Sequence, residues 1–168
     1  MVWRFLHPGE ENRWRRENDR SLVFRVEHVE AEPGSPAEIL FTGDIEEAAM
    51  RHLMEEFPLS LRAHVLEIPH HGSLRPATGR FIECVKPDLI LQSTGPRRMV
   101  KDELRSVIGG RMRACTAECG SITVISHNGQ ITNLSGFTRD PTSTGDVVDA
   151  SKAPFQPSTF HFRNRNSP

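Results

Sequence analysis

Ile39-Leu40-Phe41-Thr42-Gly43-Asp44-Ile45 and Val65-Leu66-Glu67-Ile68-Pro69-His70-His71-Gly72-Ser73 decide how this chain is read. In each, a short apolar run of the kind that forms a buried strand stops at a polar group. The first ends on an acid and the second on a histidine pair. Side chains at the ends of neighbouring parallel strands converge on one rim of a sheet, where ligands and catalytic groups sit on a rigid support. A carboxylate and an imidazole placed there suit a zinc or manganese ion.

Working outward, Ser21 to His28 alternates apolar and polar, with Leu22, Phe24 and Val26 on one face, the pattern of a half-buried strand. The turn cluster Glu32-Pro33-Gly34-Ser35-Pro36 then predicts an antiparallel hairpin with Glu38 to Thr42. Val2 to Leu6 is a short apolar start that reads as the end of a strand. Asp44 to Phe57 has helical spacing, with Ile45, Ala48, Ala49, Leu53 and Met54 as its apolar stripe, Asp44 at the N-cap position and Pro58 as its stop. Ala63 to Ile68 predicts a buried strand, Pro76 to Val85 a helix with Pro76 in its first turn, and Asp88 to Gln92 another strand. Strand, helix, strand implies a right-handed parallel crossover. Val100 to Ile108 predicts a further helix ended by Gly109-Gly110, followed by short strands at Met112 to Cys115, Ser121 to Ser126 and Gln130 to Leu134. The fold class is therefore α/β, a mixed sheet with helices on one face. One domain is expected over residues 1–136, and residues 137–168, rich in Pro, Ser, Thr and Asp, are expected to form a disordered tail.

Thr-Gly-Asp after one strand and His-His-Gly-Ser after the next resembles the second half of a metallo-β-lactamase-fold hydrolase. More narrowly, it resembles the soluble domain of ComEC-type DNA-uptake competence proteins. Leu6-His7-Pro8, Asn18-Asp19-Arg20-Ser21-Leu22-Val23-Phe24-Arg25, the Ser93-Thr94-Gly95 turn and Gly120-Ser121-Ile122-Thr123-Val124 extend the resemblance over residues 4–134. It implies the C-terminal half of an αββα sandwich. One departure is large: the family's His-x-His-x-Asp-His motif, which supplies most of the metal ligands, is absent. The eight histidines are His7, His28, His52, His64, His70, His71, His127 and His161, and only His70 and His71 are neighbours. The chain looks like half of a hydrolase, with the remaining ligands expected from a missing N-terminal half or a second subunit.

The chemistry that the resemblance implies is metal-assisted hydrolysis, in which a divalent ion lowers the pKa of bound water toward about 7. Asp44 and His71 are the implied metal ligands, His71 because Gly-Ser follows the ligating histidine in the family. His70 is then a proton donor or an orienting neighbour, and Ser73 a hydrogen-bond partner for a substrate oxygen or for the histidine. Asn18 and Ser21 match an Asn-x-x-Ser element that faces the site from a neighbouring loop. Arg97 and Arg98, past the Ser93-Thr94-Gly95 turn, are placed to neutralise backbone phosphates of a nucleic acid or other phosphodiester, as is the cluster Arg13, Arg15, Arg16 and Arg20. Each has an ordinary reading as well: Asp44 a helix cap, Gly72-Ser73 a turn, the arginines a solvated face interleaved with acids, and His7 a loop histidine.

Composition sets bounds. A chain of 168 residues with 36% hydrophobic content builds one core of modest size. A formal net charge of -1 gives no global attraction to nucleic acid or anionic membrane, so any such binding is local. No run of about 20 apolar residues and no signal-peptide core is present, so no transmembrane segment is expected and the isolated chain reads as soluble and cytoplasmic, although the related full-length proteins are membrane-anchored. Cys84, Cys115 and Cys119 are an odd set without zinc-ribbon spacing, read as reduced thiols, with Cys115 and Cys119 also spaced as a C-x3-C pair. Two function classes stay open: a metal-dependent hydrolase half-domain, inactive or nearly so in isolation, and a non-catalytic relic or binding module without a complete metal site. A closed binuclear site needs about seven or eight ligands, and two or three are present here.

Overall fold

A computed structural model describes residues 1–9, 14–27, 37–127, 130–139 and 147–149. The strands are β1 (Val2–His7), β2 (Val23–Glu27), β3 (Ala37–Phe41), β4 (Ala63–Glu67), β5 (Leu89–Gln92), β6 (Met112–Cys115), β7 (Ser121–His127), β8 (Gln130–Arg139) and β9 (Val147–Asp149). Helices α1 (Glu47–Glu56), α2 (Thr78–Val85), α3 (Pro96–Met99) and α4 (Thr116–Cys119) intervene, with 3-10 turns at Asn18–Arg20, Pro69–Gly72 and Glu103–Ser106. Six strands form one mixed sheet in the order β1-β2-β3-β4-β5-β6. The first three are antiparallel and β3 to β6 run parallel. The hairpin expected from alternation is β2 with β3, paired Phe24 to Phe41 and Val26 to Ile39. The turn cluster at residues 32–36 lies outside the described residues.

Period-2 alternation splits the strands between two layers. Val23, Leu40, Leu66 and Ile90 face a helical layer made of Ala49, Met50 and Leu53 from α1 and Phe81, Ile82 and Val85 from α2. Fully burying each such side chain contributes about 1.5–3 kcal/mol. Val65, Leu89 and Ala114 face the other way, onto Leu134, Ile122 and Val124 of the smaller sheet β7-β8-β9. The molecule is thus a mixed α/β sandwich with its helices on one face, as the patterning predicts. Among the described residues the small sheet packs on β4 to β6 and on Ile39 of β3. On the β1 to β3 half, Trp3, Phe24 and Phe41 form a stacked ladder with centroid spacings of 5.2 and 4.8 Å. Trp3 and Phe5 there are 59% and 63% exposed.

Two expectations need correction. Asp44 is not the cap of the first helix: α1 starts at Glu47 with Glu46 as its N-cap, because Gly43 adopts a left-handed φ of 54° and the chain turns once more before entering the helix. The helix expected over Val100 to Ile108 is replaced by α3 and the 3-10 turn Glu103–Ser106. Pro96 starts the helix early, and Asp102, at ψ 66°, leaves helical geometry to make a two-pronged bond with Arg113. Strand β8 runs to Arg139, past residue 136, and pairs with β9. The rest of the expected tail, residues 140–146 and 150–168, lies outside the described residues.

The Asp102–Arg113 pair, at 2.6 and 2.8 Å, ties the irregular segment to the edge strand β6. Hydrogen bonding from Arg113 holds the Asp102 carboxyl below its usual range. A depressed folded pKa gives stability that is present above the unfolded value of about 3.9 and is lost as pH falls through the folded value. Asp102→Asn is therefore expected to cost about 1.5–3 kcal/mol at pH 7, with the deficit shrinking below about pH 4; urea unfolding of both proteins at pH 7 and pH 3 checks it.

Candidate functional site

The parallel strands β3, β4 and β5 end side by side and release three loops at one rim: Thr42-Gly43-Asp44, Ile68 to Ser73, and Ser93-Thr94-Gly95. The first is clamped by Glu67, whose Oε2 accepts the N–H groups of Thr42 and Gly43 at 3.1 and 3.3 Å, while the Thr42 hydroxyl donates to the Glu67 carbonyl at 2.7 Å. The His70 N–H donates to the Gly43 carbonyl at 3.0 Å and joins the first two loops. At the third, the Thr94 N–H donates to Oγ1 of Thr116 at 2.8 Å.

The second loop is strained. His70, His71 and Gly72 all have left-handed backbones, with φ of 49°, 58° and 84°, a conformation that costs non-glycine residues about 1–2 kcal/mol each. Gly72 is required there: a Cβ on it would lie 2.5 Å from Nε2 of Gln92. That amide is fixed in turn, because it donates to the His71 carbonyl at 3.1 Å. Backbone strain of this kind persists where the surroundings over-determine it.

The outcome is a pairing of acid and imidazole. His71 Nε2 lies 3.5 Å from Asp44 Oδ1, both side chains a little over 40% exposed. The other ring nitrogen, Nδ1, donates to the Ser93 carbonyl at 2.8 Å. A carbonyl accepts only, so Nδ1 carries the proton and a neutral ring leaves Nε2 bare. In that neutral form Nε2 and the carboxylate are two electron-pair donors on one rim, an arrangement that suits a cation between or beside them. Among the described residues no group of three or more His, Cys, Asp and Glu side chains gathers as a metal cage. Cys115 is buried with its Sγ 3.6 Å from the Met99 sulfur, and Cys119 is half-buried.

The other expected residues surround this pair. Ser21 Oγ accepts the Asp44 N–H at 3.2 Å, so the Asn-x-x-Ser loop does reach the rim. Asn18 Nδ2 donates to Glu46 Oε1 at 3.1 Å. Ser73 Oγ accepts from Arg98 Nη1 at 3.2 Å, and Arg97 and Arg98 are both exposed on α3. His70 is next to His71 with ring centroids 6.2 Å apart. His7 is buried elsewhere, donating from Nε2 to the Asp19 carbonyl at 2.6 Å against the edge of Trp14. Of the first basic cluster, Arg16 pairs with Glu46 and Arg20 donates to the Trp14 carbonyl, while Arg13 lies outside the described residues.

Two residues that sequence reading passed over hold the rim together. Asp19 is 2% exposed and its Oδ1 accepts the N–H groups of Glu46 and Ala49 at 2.9 and 3.2 Å. It does the work of an N-cap side chain from 27 residues upstream. Glu46 is buried among Arg75, Arg16 and Asn18. Its carboxyl is held down at about 2, first by the hydrogen bond from Arg75, then by Arg16 and Asn18 against the opposing effect of burial. An acid two positions beyond Asp44 was the available signal for Glu46; Asp19, inside a charged loop, offered none.

Gly72→Ala is expected to lower stability by about 1–3 kcal/mol, through left-handed strain and the collision with Gln92. Thermal unfolding of the two proteins measures it, and an unchanged midpoint would mean that the loop relaxes freely.

No protein-family model matches the chain, and no solved structure shows a significant match. Over 110 residues the chain is 30% identical to competence protein ComA of Neisseria gonorrhoeae, a stretch that covers 66% of this chain. The match takes in 15% of ComA, so the chain is related to a competence protein while spanning a small part of that relative's length.

Proposed function

We propose that the Asp44–His71 rim is part of a divalent-metal site in a metallo-β-lactamase-like hydrolase that acts on phosphodiesters, in a protein related to DNA uptake. The observation that carries this reading is the His71 ring, fixed through Nδ1 by its bond to the Ser93 carbonyl and turned so that Nε2 lies 3.5 Å from Asp44 Oδ1. A metal-ligating histidine is commonly fixed through its other nitrogen in this way. The relation to ComA supports the DNA-uptake context.

Asp44 and His71 would hold zinc or manganese. When bound, such an ion supplies a water of lowered pKa and polarises a phosphoryl oxygen. The chain's own groups then have separate tasks. Glu67 and Ser21 hold the Asp44 loop through its backbone N–H groups, so the carboxylate needs no reorganisation to reach the ion. Arg98, resting on the Ser73 hydroxyl, and exposed Arg97 offer positive charge to a backbone phosphate. His70 is the neighbouring imidazole, placed for proton transfer at the rim. The remaining ligands would come from an N-terminal half of the sandwich or a second subunit, for which the aromatic face of β1 to β3, exposed at Trp3 and Phe5 among the described residues, is an available seat. A second reading, a binding module without catalysis, is favoured by the lack of a three-residue ligand group among the described residues. No helix among them is long and apolar enough to cross a membrane.

Titration calorimetry with zinc and with manganese, run beside a single-stranded DNA cleavage assay, tests the proposal. The isolated chain is expected to bind metal weakly and to cleave little or nothing, and Asp44→Asn and His71→Ala are each expected to weaken binding by about 10–100-fold. Metal binding that is unchanged in both variants would overturn the reading. Robust cleavage lost in both would show that a second copy completes the site.

A further inference from the structure

His70 is the group at the rim whose environment is least explained by the Asp44–His71 pair. Its Nδ1 is fully buried and makes no hydrogen bond to the described residues. An imidazole nitrogen placed so is costly unless something nearby settles its charge. The nearest opposite charge is Glu46, whose Oε1 lies 3.5 Å from Nδ1, both side chains largely out of solvent.

The other bonds of Glu46 decide what it can do for His70. Arg16 and Arg75 Nε both donate to Oε2, whereas Oε1 receives the hydrogen bond of Asn18 Nδ2, with Arg75 Nη2 nearby at 3.3 Å. A carboxylate oxygen has two acceptor directions; Asn18 fills one of those of Oε1, and Arg75 Nη2 and His70 Nδ1 lie near it at 3.3 and 3.5 Å. Three groups fix the carboxylate in place, and it cannot swing away from the imidazole. Were Nδ1 bare, its lone pair would face an anionic oxygen in a water-poor setting. With Nδ1 protonated the same contact becomes attractive.

We propose that Glu46 is a positioning residue of the rim, holding His70 as the Nδ1-protonated tautomer so that Nε2 is the ring's only acceptor atom. Its consequence for chemistry rests on the metal-site reading above. Both adjacent histidines then carry the same tautomer, His71 through the Ser93 carbonyl and His70 through the Glu46 carboxylate. Each offers a bare Nε2, one beside Asp44 and one beside it in sequence. Arg16 and Arg75 thereby serve the site indirectly, by neutralising and fixing the acid that fixes the imidazole.

Long-range proton–nitrogen NMR spectra of the full chain, labelled on histidine and free of metal, read the tautomer of each ring. Because neither metal nor substrate is present, the result is independent of whether the rim hydrolyses anything. The neutral His70 ring is expected to show a protonated Nδ1 and a bare Nε2. In Glu46→Gln the charge is lost while the shape is kept, and the His70 nitrogen signals are expected to move toward a tautomer average with the His71 signals unmoved. The wild-type spectrum suffices if that variant fails to fold. A bare Nδ1 on His70 in the wild type, or His70 signals unchanged in a folded Glu46→Gln protein, would overturn the proposal.

Discussion

Parallel pairing of β3, β4 and β5 is the constraint on which the rest depends. Registers of Leu40 with Leu66 and of Leu66 with Ile90 set three strands to finish together. Three loops then emerge within hydrogen-bonding reach of one another. A slip of one residue in β4 would turn Leu66 out of the helical core and carry the histidine pair to the other face. The apolar core therefore specifies the position of the polar site.

Polar groups near the strand ends convert that alignment into fixed geometry. Glu67 and Asp19 spend their carboxylates on backbone N–H groups, and Glu46 spends its own on two arginines and an asparagine. A buried carboxylate left without such partners would cost several kcal/mol. The left-handed turn of His70 and His71 is tolerated because its N–H, carbonyl and ring groups are bound to neighbours on both sides.

Elements with strong periodicity were legible in the sequence: the β2–β3 hairpin, the β4–α2–β5 crossover and the proximity of Asp44 to His71 all follow from residue pattern and motif order. What escaped was long-range. The cap of α1 is supplied by a residue far upstream, so a local scan assigned it to Asp44. Apolar residues at Val100, Leu104 and Ile108 have helical spacing, yet Val100 is 83% exposed and the spacing was accidental. The aromatic ladder of Trp3, Phe24 and Phe41 is invisible until cross-strand register is known.

The remote capping of α1 by Asp19 ties two events that would otherwise be separate. The N–H groups of Asp44, Glu46 and Ala49 are all satisfied from the segment around residues 14–21, by Ser21 and Asp19. Release of that segment exposes orphaned donors at the helix start and removes Arg16 and Asn18 from Glu46 in the same step. The rim and the segment around residues 14–21 are thus joined through shared hydrogen bonds. The geometry of the site is complete only when a contact spanning 27 residues of sequence is closed.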